Sequence, residues 1–146
     1  VDCSPSRVAS SQQVAAFNGV DARFLQSDLF SALEVDNRYD VIFFNPPYVP
    51  TQVGRDLQLT RRLQIDGDQM WDGGADGTDV LRRFLNESHA FLSDRGRVVF
   101  GVQNMFVPDD LVIAECGYTL RQRCKRRMVP ATVYVLDPSP AAARAD

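Results

Sequence analysis

The stretch that most constrains the fold is residues 40–50, Asp-Val-Ile-Phe-Phe-Asn-Pro-Pro-Tyr-Val-Pro. In it, four apolar residues are followed by one asparagine and then by two prolines. A run that is apolar on both faces predicts a buried central strand of a parallel sheet. Proline lacks the N–H that a strand ladder needs, so Pro46 and Pro47 must end that strand. They do not explain the polar amide of Asn45 before them or the ring of Tyr48 after them. These flanking residues are therefore candidates for chemistry.

The rest of the chain alternates between strand-like and helix-like patterns. Such alternation predicts a mostly parallel sheet with helices on both faces, and the last two strands read as an antiparallel hairpin. The predicted helices cover residues 5–17, 80–92 and 108–116, and the predicted strands cover 22–26, 39–44, 97–102, 118–127 and 131–137. A single domain is expected for 146 residues.

Residues 51–77 show no sustained periodicity and are predicted to form a long loop. Loops of this length inside a compact domain are usually functional lids or inserts. Trp71 has two interpretations that the sequence leaves open. It is either an exposed lid residue over a substrate or the hydrophobic anchor of its own loop.

Charge and residue usage exclude several functional classes. The net charge of −3 gives no overall basic field for nucleic acid, and the basic run 121–127 favours a charge-protected strand edge over a binding patch. Cys3, Cys116 and Cys124 form no Cys-x-x-Cys pair, which indicates reduced thiols in a cytoplasmic setting and argues against a metal site. His89, the only histidine, lies in a helical pattern and is assigned a packing role. No signal peptide or run of about 18 apolar residues indicates a membrane segment.

Polar residues follow directly on three of the apolar strands. Asp2, Asp28 and Asn45 each stand at such a carboxyl end. Because ligands of α/β sheets bind beyond the carboxyl ends of the strands, these residues predict a ligand site at one rim. Asp28 has an alternative interpretation as a helix cap after Ser27.

Four segments together resemble a known family. They are residues 1–8 (VDCSPSRV), 26–30 (QSDLF), 44–50 (FNPPYVP) and 71–85 (WDGGADGTDVLRRFL). In this order they resemble class I S-adenosylmethionine-dependent methyltransferases of the Asn-Pro-Pro-Tyr type. More narrowly, they resemble the HemK-like protein-(glutamine-N5) methyltransferases that modify peptide-chain release factors. The resemblance implies a Rossmann-like fold and a cytoplasmic enzyme.

The resemblance also implies roles for individual residues. Asp2 is expected to accept from the ribose hydroxyls of S-adenosylmethionine, Asp28 from its adenine amino group, and Leu29 to pack near the base. Asn45 is expected to contribute to both the cofactor and the substrate site. The favoured partner is a release factor. Two alternatives stay open: methylation of an adenine or guanine amino group of nucleic acid, and a non-catalytic methyltransferase-like binding module.

The chemistry of the tetrapeptide can be argued from the residues themselves. A planar amide nitrogen is a poor nucleophile because its lone pair is delocalised. The side-chain oxygen of Asn45 and the carbonyl of Pro46 can accept its N–H groups, Pro47 stiffens the backbone, and Tyr48 can stack on the planar group. Positioning and electrostatics would then supply most of the rate, without a metal or a strong base.

Two features of the family pattern are absent from the sequence. No Gly-x-Gly occurs, so the glycine-rich loop for the methionine part of the cofactor is missing, as is a helical substrate-recognition domain. We therefore expect residues 1–137 to be the C-terminal part of a methyltransferase domain lacking its first strand. Residues 138–146 are expected to be a frayed tail. Cofactor binding by this polypeptide alone is expected to be weak or absent.

Overall fold

A computed structural model of the protein describes residues 1–65, 67–106, 110–125 and 130–140. The chain divides into two compact units, the first from Val1 to Asn37 and the second from Arg38 onward. Each unit is described by itself. Among the described residues, no helix is both long enough and apolar enough to cross a lipid bilayer.

The first unit contains one helix, α1 (Pro5–Phe17), and confirms the predicted boundaries. Pro5 occupies the first turn, where its missing N–H has no helical partner to lose. The helix ends at Asn18, and Gly19 follows with a φ of 66°, the left-handed conformation that glycine adopts without a steric penalty. Ser4 stands at the N-cap, but its hydroxyl pairs with the hydroxyl of Ser6 at 2.9 Å and does not cap the helix.

The predicted strand at residues 22–26 is wrong. Only one parallel bridge forms there, between Asp2 and Gln26. The N–H of Asp2 donates to the carbonyl of Leu25 at 3.2 Å, and the N–H of Ser27 donates to the carbonyl of Asp2 at 3.0 Å. A longer ladder cannot form on this partner because the chain after Asp2 turns at once into α1.

The second unit is built on a four-stranded mixed sheet. Its strands are β1 (Tyr39–Phe44), β2 (Leu92–Gln103), β3 (Tyr118–Lys125) and β4 (Ala131–Pro138), in the order β1-β2-β4-β3. β1 and β2 are parallel, whereas β4 is antiparallel to both β2 and β3. The parallel pair and the C-terminal hairpin are confirmed. The turn residues 126–129 lie outside the described part of the chain.

The central position predicted for residues 39–44 is not what the sheet shows. β1 pairs only with β2 among the described strands and therefore lies at an edge. On one face of β1, Val41 is 58% exposed and Phe43 is 66% exposed. On the other face, the ring of Phe44 lies 4.5 Å from that of Phe84, centroid to centroid. The apolar run is therefore covered on one face within the second unit.

Two short helices, α2 (Thr51–Asp56) and α3 (Leu59–Leu63), precede helix α4 (Asp79–Ser88). α4 packs Phe84 on that face of β1 and also buries Leu81 and Leu85. It is shorter than the predicted helix, which extended to residue 92. A 3₁₀ turn covers His89–Phe91, and the backbone is already extended at Leu92, where β2 begins.

The C-terminal helix, α5 (Asp110–Glu115), ends one residue before its predicted end at Cys116, and its predicted start at residue 108 lies outside the described part of the chain. Gly117 ends it with a φ of 76°. The predicted tail begins at Pro138, which is the last residue of β4. Residues 141–146 of that tail are not among the described residues.

The basic run on β3 is largely paired with acidic neighbours. Arg121 forms an ion pair with Asp137 at 2.9 Å, and Arg123 forms one with Asp110. The guanidinium of Arg123 also lies 5.1 Å from the ring centroid of Tyr134. Arg121 and Arg123 are thus engaged by acidic residues of the chain, while Arg126 and Arg127 of the basic run lie outside the described residues.

A buried hydrogen bond joins α4 to β3. The hydroxyls of Ser88 and Tyr118 are 2.6 Å apart, and the Ser88 hydroxyl also donates to the carbonyl of Leu85 at 2.8 Å. His89 stacks on the Tyr118 ring at 4.3 Å, and its Nε2 lies 2.8 Å from the carbonyl oxygen of Cys116. The packing role assigned to His89 therefore matches its surroundings.

We expect the buried phenol of Tyr118 to make the protein less stable at alkaline pH. Burial raises the pKa of Tyr118 from its ordinary value of 10 to about 12. Below pH 10 both folded and unfolded chains keep the proton, so the full stability is present. As pH rises towards 12 the unfolded chain loses its proton first, and about 2–3 kcal/mol of stability is lost.

Urea unfolding at pH 8, 10, 11 and 12 would test this, with Tyr118→Phe as the control. The variant removes the titrating group and leaves the Ser88 hydroxyl its bond to Leu85. An equal alkaline loss of stability in both proteins would show that other groups are responsible.

Candidate active site

The Asn-Pro-Pro-Tyr segment forms a rigid corner directly after β1. Pro46 is buried, with less than 2% of its surface exposed, and anchors the corner in the second unit. Asn45 is exposed, whereas Pro47 and Tyr48 are half-buried. The corner therefore has a fixed base and presents an amide and a ring at the surface.

Two oxygen acceptors of this corner have no hydrogen-bond partner among the described residues: the side-chain oxygen of Asn45 and the carbonyl of Pro46. Asn45 is exposed, whereas Pro46 is buried. An unpaired acceptor that a ligand reaches can bind an N–H group without first breaking an internal bond. Two such acceptors on successive residues suit a group with two N–H bonds.

The ring of Tyr48 lies beside a second ring that the sequence analysis did not select. Phe106 stacks on it with a centroid distance of 5.9 Å and an interplanar angle of 27°. Phe106 ends the 3₁₀ turn (Asn104–Phe106) that follows β2. The available signal was its position after a buried strand parallel to β1, because such strands end at the same rim. Burial raises the pKa of Tyr48 above its ordinary value of 10.

The prediction that residues 51–77 form a loop throughout is wrong, although residue 66 lies outside the described part of the chain. Two short helices, α2 (Thr51–Asp56) and α3 (Leu59–Leu63), begin the segment. Trp71 is 5% exposed, and its Nε1 donates to the Thr60 hydroxyl at 2.9 Å. The Thr60 hydroxyl in turn donates to the carboxylate of Asp68. Trp71 is thus the hydrophobic anchor of its own segment.

Gly54 leaves room for the Trp71 ring. A Cβ placed on Gly54 would lie 2.0–2.5 Å from three atoms of that ring. We expect Gly54→Ala to displace the indole and to cost about 1–3 kcal/mol, as overpacking usually does. Because Trp71 is the only tryptophan, a red shift of the intrinsic fluorescence would report its exposure.

Gly101→Ala is a suitable control for this prediction, since its nearest neighbours are 4.0 Å away. An emission spectrum of Gly54→Ala that matched the wild type would contradict the packing of Trp71 on Gly54.

The first unit carries an acidic pair. The parallel bridge between Asp2 and Gln26 brings Asp2 next to the turn that contains Asp28 and Leu29. One oxygen of the Asp2 carboxylate accepts from the N–H of Ser4 at 2.8 Å and lies 3.8 Å from Arg7. Asp28 is exposed. These two carboxylates form the acidic rim of the first unit.

Ser27 organises the turn that carries Asp28. Its hydroxyl donates to the carbonyl of Leu29 at 2.8 Å and accepts from the N–H of Ala32 at 3.0 Å. Leu29 has a φ of 49°, an unusual conformation for a leucine. Residues 28–33 form turns and bends, so Asp28 does not cap a helix. The structure thus brings Asp2 and Asp28 together in one unit and residues 45–48 together in the other.

Three comparisons with known proteins bear on this arrangement. Residues 1–74, just over half of the chain, match the family described as methyltransferase small domain. A Methanocaldococcus jannaschii protein, provisionally named a protein N5-glutamine methyltransferase, is 38% identical over 67% of this chain and 46% of its own length. A release factor glutamine methyltransferase of Rhodopirellula baltica is 37% identical over 62% of this chain and 30% of its own length. The chain thus spans half or less of these relatives.

The fold is similar to that of a solved 16S rRNA methyltransferase of T. thermophilus in complex with AdoMet and guanosine. The TM-score is 0.58 at 21% sequence identity, over 90% of this chain and 28% of that one. At this level of identity the similarity establishes the Rossmann-like fold, and it confirms the predicted fold class.

Proposed function

The chain belongs to the methyltransferase small-domain family, and we propose that it methylates the side-chain amide of a glutamine in a protein such as a peptide-chain release factor. The methyl donor proposed is S-adenosylmethionine. The observation that carries the proposal is a pair of acceptors on the corner that ends in Tyr48, the Asn45 amide oxygen and the Pro46 carbonyl, which have no hydrogen-bond partner within the described part of the chain. The names of the two relatives support glutamine as the target.

The corner would act on the glutamine amide through hydrogen bonding and stacking. The side-chain oxygen of Asn45 and the carbonyl of Pro46 would each accept one N–H of the amide. This polarises the nitrogen and opposes delocalisation of its lone pair. Tyr48 would stack on the planar amide and fix its tilt. Because buried Pro46 holds these groups in place, little reorganisation is needed at the moment of reaction.

The acidic rim fits the adenosine part of S-adenosylmethionine. Ribose hydroxyls and the adenine amino group are donors, and carboxylates are strong acceptors for them. Asp2 keeps its second carboxylate oxygen free of hydrogen bonds among the described residues, since the bonds from Ser4 and Arg7 both use Oδ1. We assign Asp2 to the ribose, Asp28 to the amino group and Leu29 to the base. When bound, the cofactor supplies an electrophilic methyl group.

Nucleic acid is the second candidate substrate, because an adenine or guanine amino group presents the same planar NH₂. The guanosine in the T. thermophilus methyltransferase is the observation that favours it. Against it stand the net charge of −3 and the pairing of Arg121 and Arg123 with acidic residues.

A methyl-transfer assay separates these candidates. The full-length enzyme, with any residues upstream of Val1, is incubated with labelled S-adenosylmethionine and either a Gly-Gly-Gln release-factor fragment or an adenine-containing oligonucleotide. Label on the glutamine supports the proposal, and label on the oligonucleotide alone supports nucleic acid. Calorimetry with S-adenosylmethionine covers the third possibility, because absence of both binding and transfer would identify a non-catalytic module.

A further inference from the structure

We propose that Asp72 and Gly77 are positioning residues that fix the Asn45–Tyr48 corner for methyl transfer. This inference rests on the proposed function, because it concerns the residues that would hold the glutamine amide. Both residues lie in the glycine-rich segment 72–77, which we call the brace. The brace lies more than 20 residues along the chain from the corner and packs on the backbone that leaves it.

The brace is tied to the corner by main-chain hydrogen bonds. Val49 and Asp72 form a parallel bridge. The N–H of Val49 donates to the carbonyl of Trp71, and the N–H of Gly73 donates to the carbonyl of Val49, both at 2.9 Å. The N–H of Thr51 donates to the carbonyl of Gly74, also at 2.9 Å. Val49, the residue after Tyr48, is therefore held by hydrogen bonds at both its N–H and its carbonyl.

The carboxylate of Asp72 closes this ladder. It accepts from the Thr51 hydroxyl at 2.6 Å and from the N–H of Gly74 at 3.0 Å. One side chain thus connects the start of α2 to the backbone of the brace. Loss of the carboxylate would release both connections.

Gly77 sets how closely the brace approaches the corner. A Cβ on Gly77 would lie 2.5 Å from the carbonyl oxygen of Tyr48 and 3.2 Å from Cδ of Pro50. Its φ of 85° is also one that other residues rarely adopt. Any side chain at this position must push Tyr48 away or move the brace. The close contact therefore couples the identity of residue 77 to the position of the Tyr48 backbone.

Steady-state kinetics of Gly77→Ala in the full-length enzyme tests the proposal, with Gly19→Ala as the matched control. Gly19 has a φ of 66°, but a Cβ there meets nothing within 4 Å. Both substitutions introduce backbone strain, and only one displaces Tyr48. A misplacement of about 1 Å can cost about 100-fold in rate. We expect Gly77→Ala to lower kcat by about 10- to 100-fold, with the Kd for S-adenosylmethionine within about twofold of wild type.

A pair of variants at Thr51 gives a second reading that does not depend on the folding of Gly77→Ala. Thr51→Val keeps the shape and removes the hydroxyl that donates to Asp72, and Thr51→Ser keeps the hydroxyl. We expect kcat to fall in Thr51→Val and to be retained in Thr51→Ser. If both Thr51 variants and Gly77→Ala kept the wild-type kcat at a temperature where they are folded, the brace would have no positioning role. A wild-type enzyme that transfers no methyl group to the release-factor fragment would instead refute the proposed function.

Discussion

Asn45→Ala is expected to lower kcat for glutamine methylation by about 10²- to 10³-fold, the effect of removing one preorganised polar group from a transition state. The side chain of Asn45 is exposed and makes no hydrogen bond within the described residues, so truncating it should not destabilise the fold. We expect the Kd for S-adenosylmethionine to change little, because the assigned adenosine contacts are Asp2 and Asp28. A single-turnover assay with labelled cofactor measures the chemical step directly.

Asn86→Ala provides the matched control for this substitution. Asn86 is an exposed asparagine on α4, and the same truncation there should leave kcat unchanged. A rate for Asn45→Ala within about threefold of wild type would remove the amide from the mechanism, since a preorganised group is expected to contribute far more.

Phe100→Ala is expected to destabilise the protein by about 3–5 kcal/mol, the usual range for truncating a buried aromatic residue. Phe100 lies on β2, is 0% exposed, and stacks on Tyr134 with a centroid distance of 4.7 Å and an interplanar angle of 2°. Removing the ring leaves a cavity beside Tyr134. The Tyr134 hydroxyl is buried without a hydrogen-bond partner among the described residues, so no hydrogen bond of that hydroxyl helps to hold the Tyr134 ring in place.

Urea unfolding followed by circular dichroism measures this loss, with Phe43→Ala as the comparison. Phe43 lies on the neighbouring strand β1 and is 66% exposed, so the same truncation should cost much less. Equal losses for the two variants would mean that the ring of Phe100 is not part of a packed core.

Local pattern was enough for the parts of the fold that depend on neighbouring residues. Helix α1 matches its prediction because Ser4-Pro5 and Asn18-Gly19 mark both ends within the sequence itself. The hairpin of β3 and β4 matches its prediction because two strand-like runs follow each other along the sequence with Pro130 between them. The length of α4 was overestimated because the apolar spacing continues past Ser88, while the buried bond from Ser88 to Tyr118 depends on a strand 30 residues away.

The candidate site divides in the same way. The tetrapeptide after a predicted buried strand identified the corner, because the two prolines and the residues that flank them are adjacent in the sequence. The second ring, Phe106, was missed because it follows a different strand, β2, and lies 58 positions further along the chain than Tyr48. The sequence could not decide between an exposed and a buried Trp71, because its burial depends on the absence of a side chain at Gly54.

The sequence by itself determined helix α1, the order of the four strands of the second unit, the rigid corner at Asn45–Tyr48 and the methyltransferase family resemblance. These depend on apolar periodicity and on the covalent geometry of proline, which act over a few residues. Only the tertiary structure decided that β1 is an edge strand among the described residues, that two short helices begin the segment 51–77, and that the brace is hydrogen-bonded to Val49 and Thr51. Those features depend on contacts between residues more than 20 positions apart, and local residue preferences do not specify such contacts.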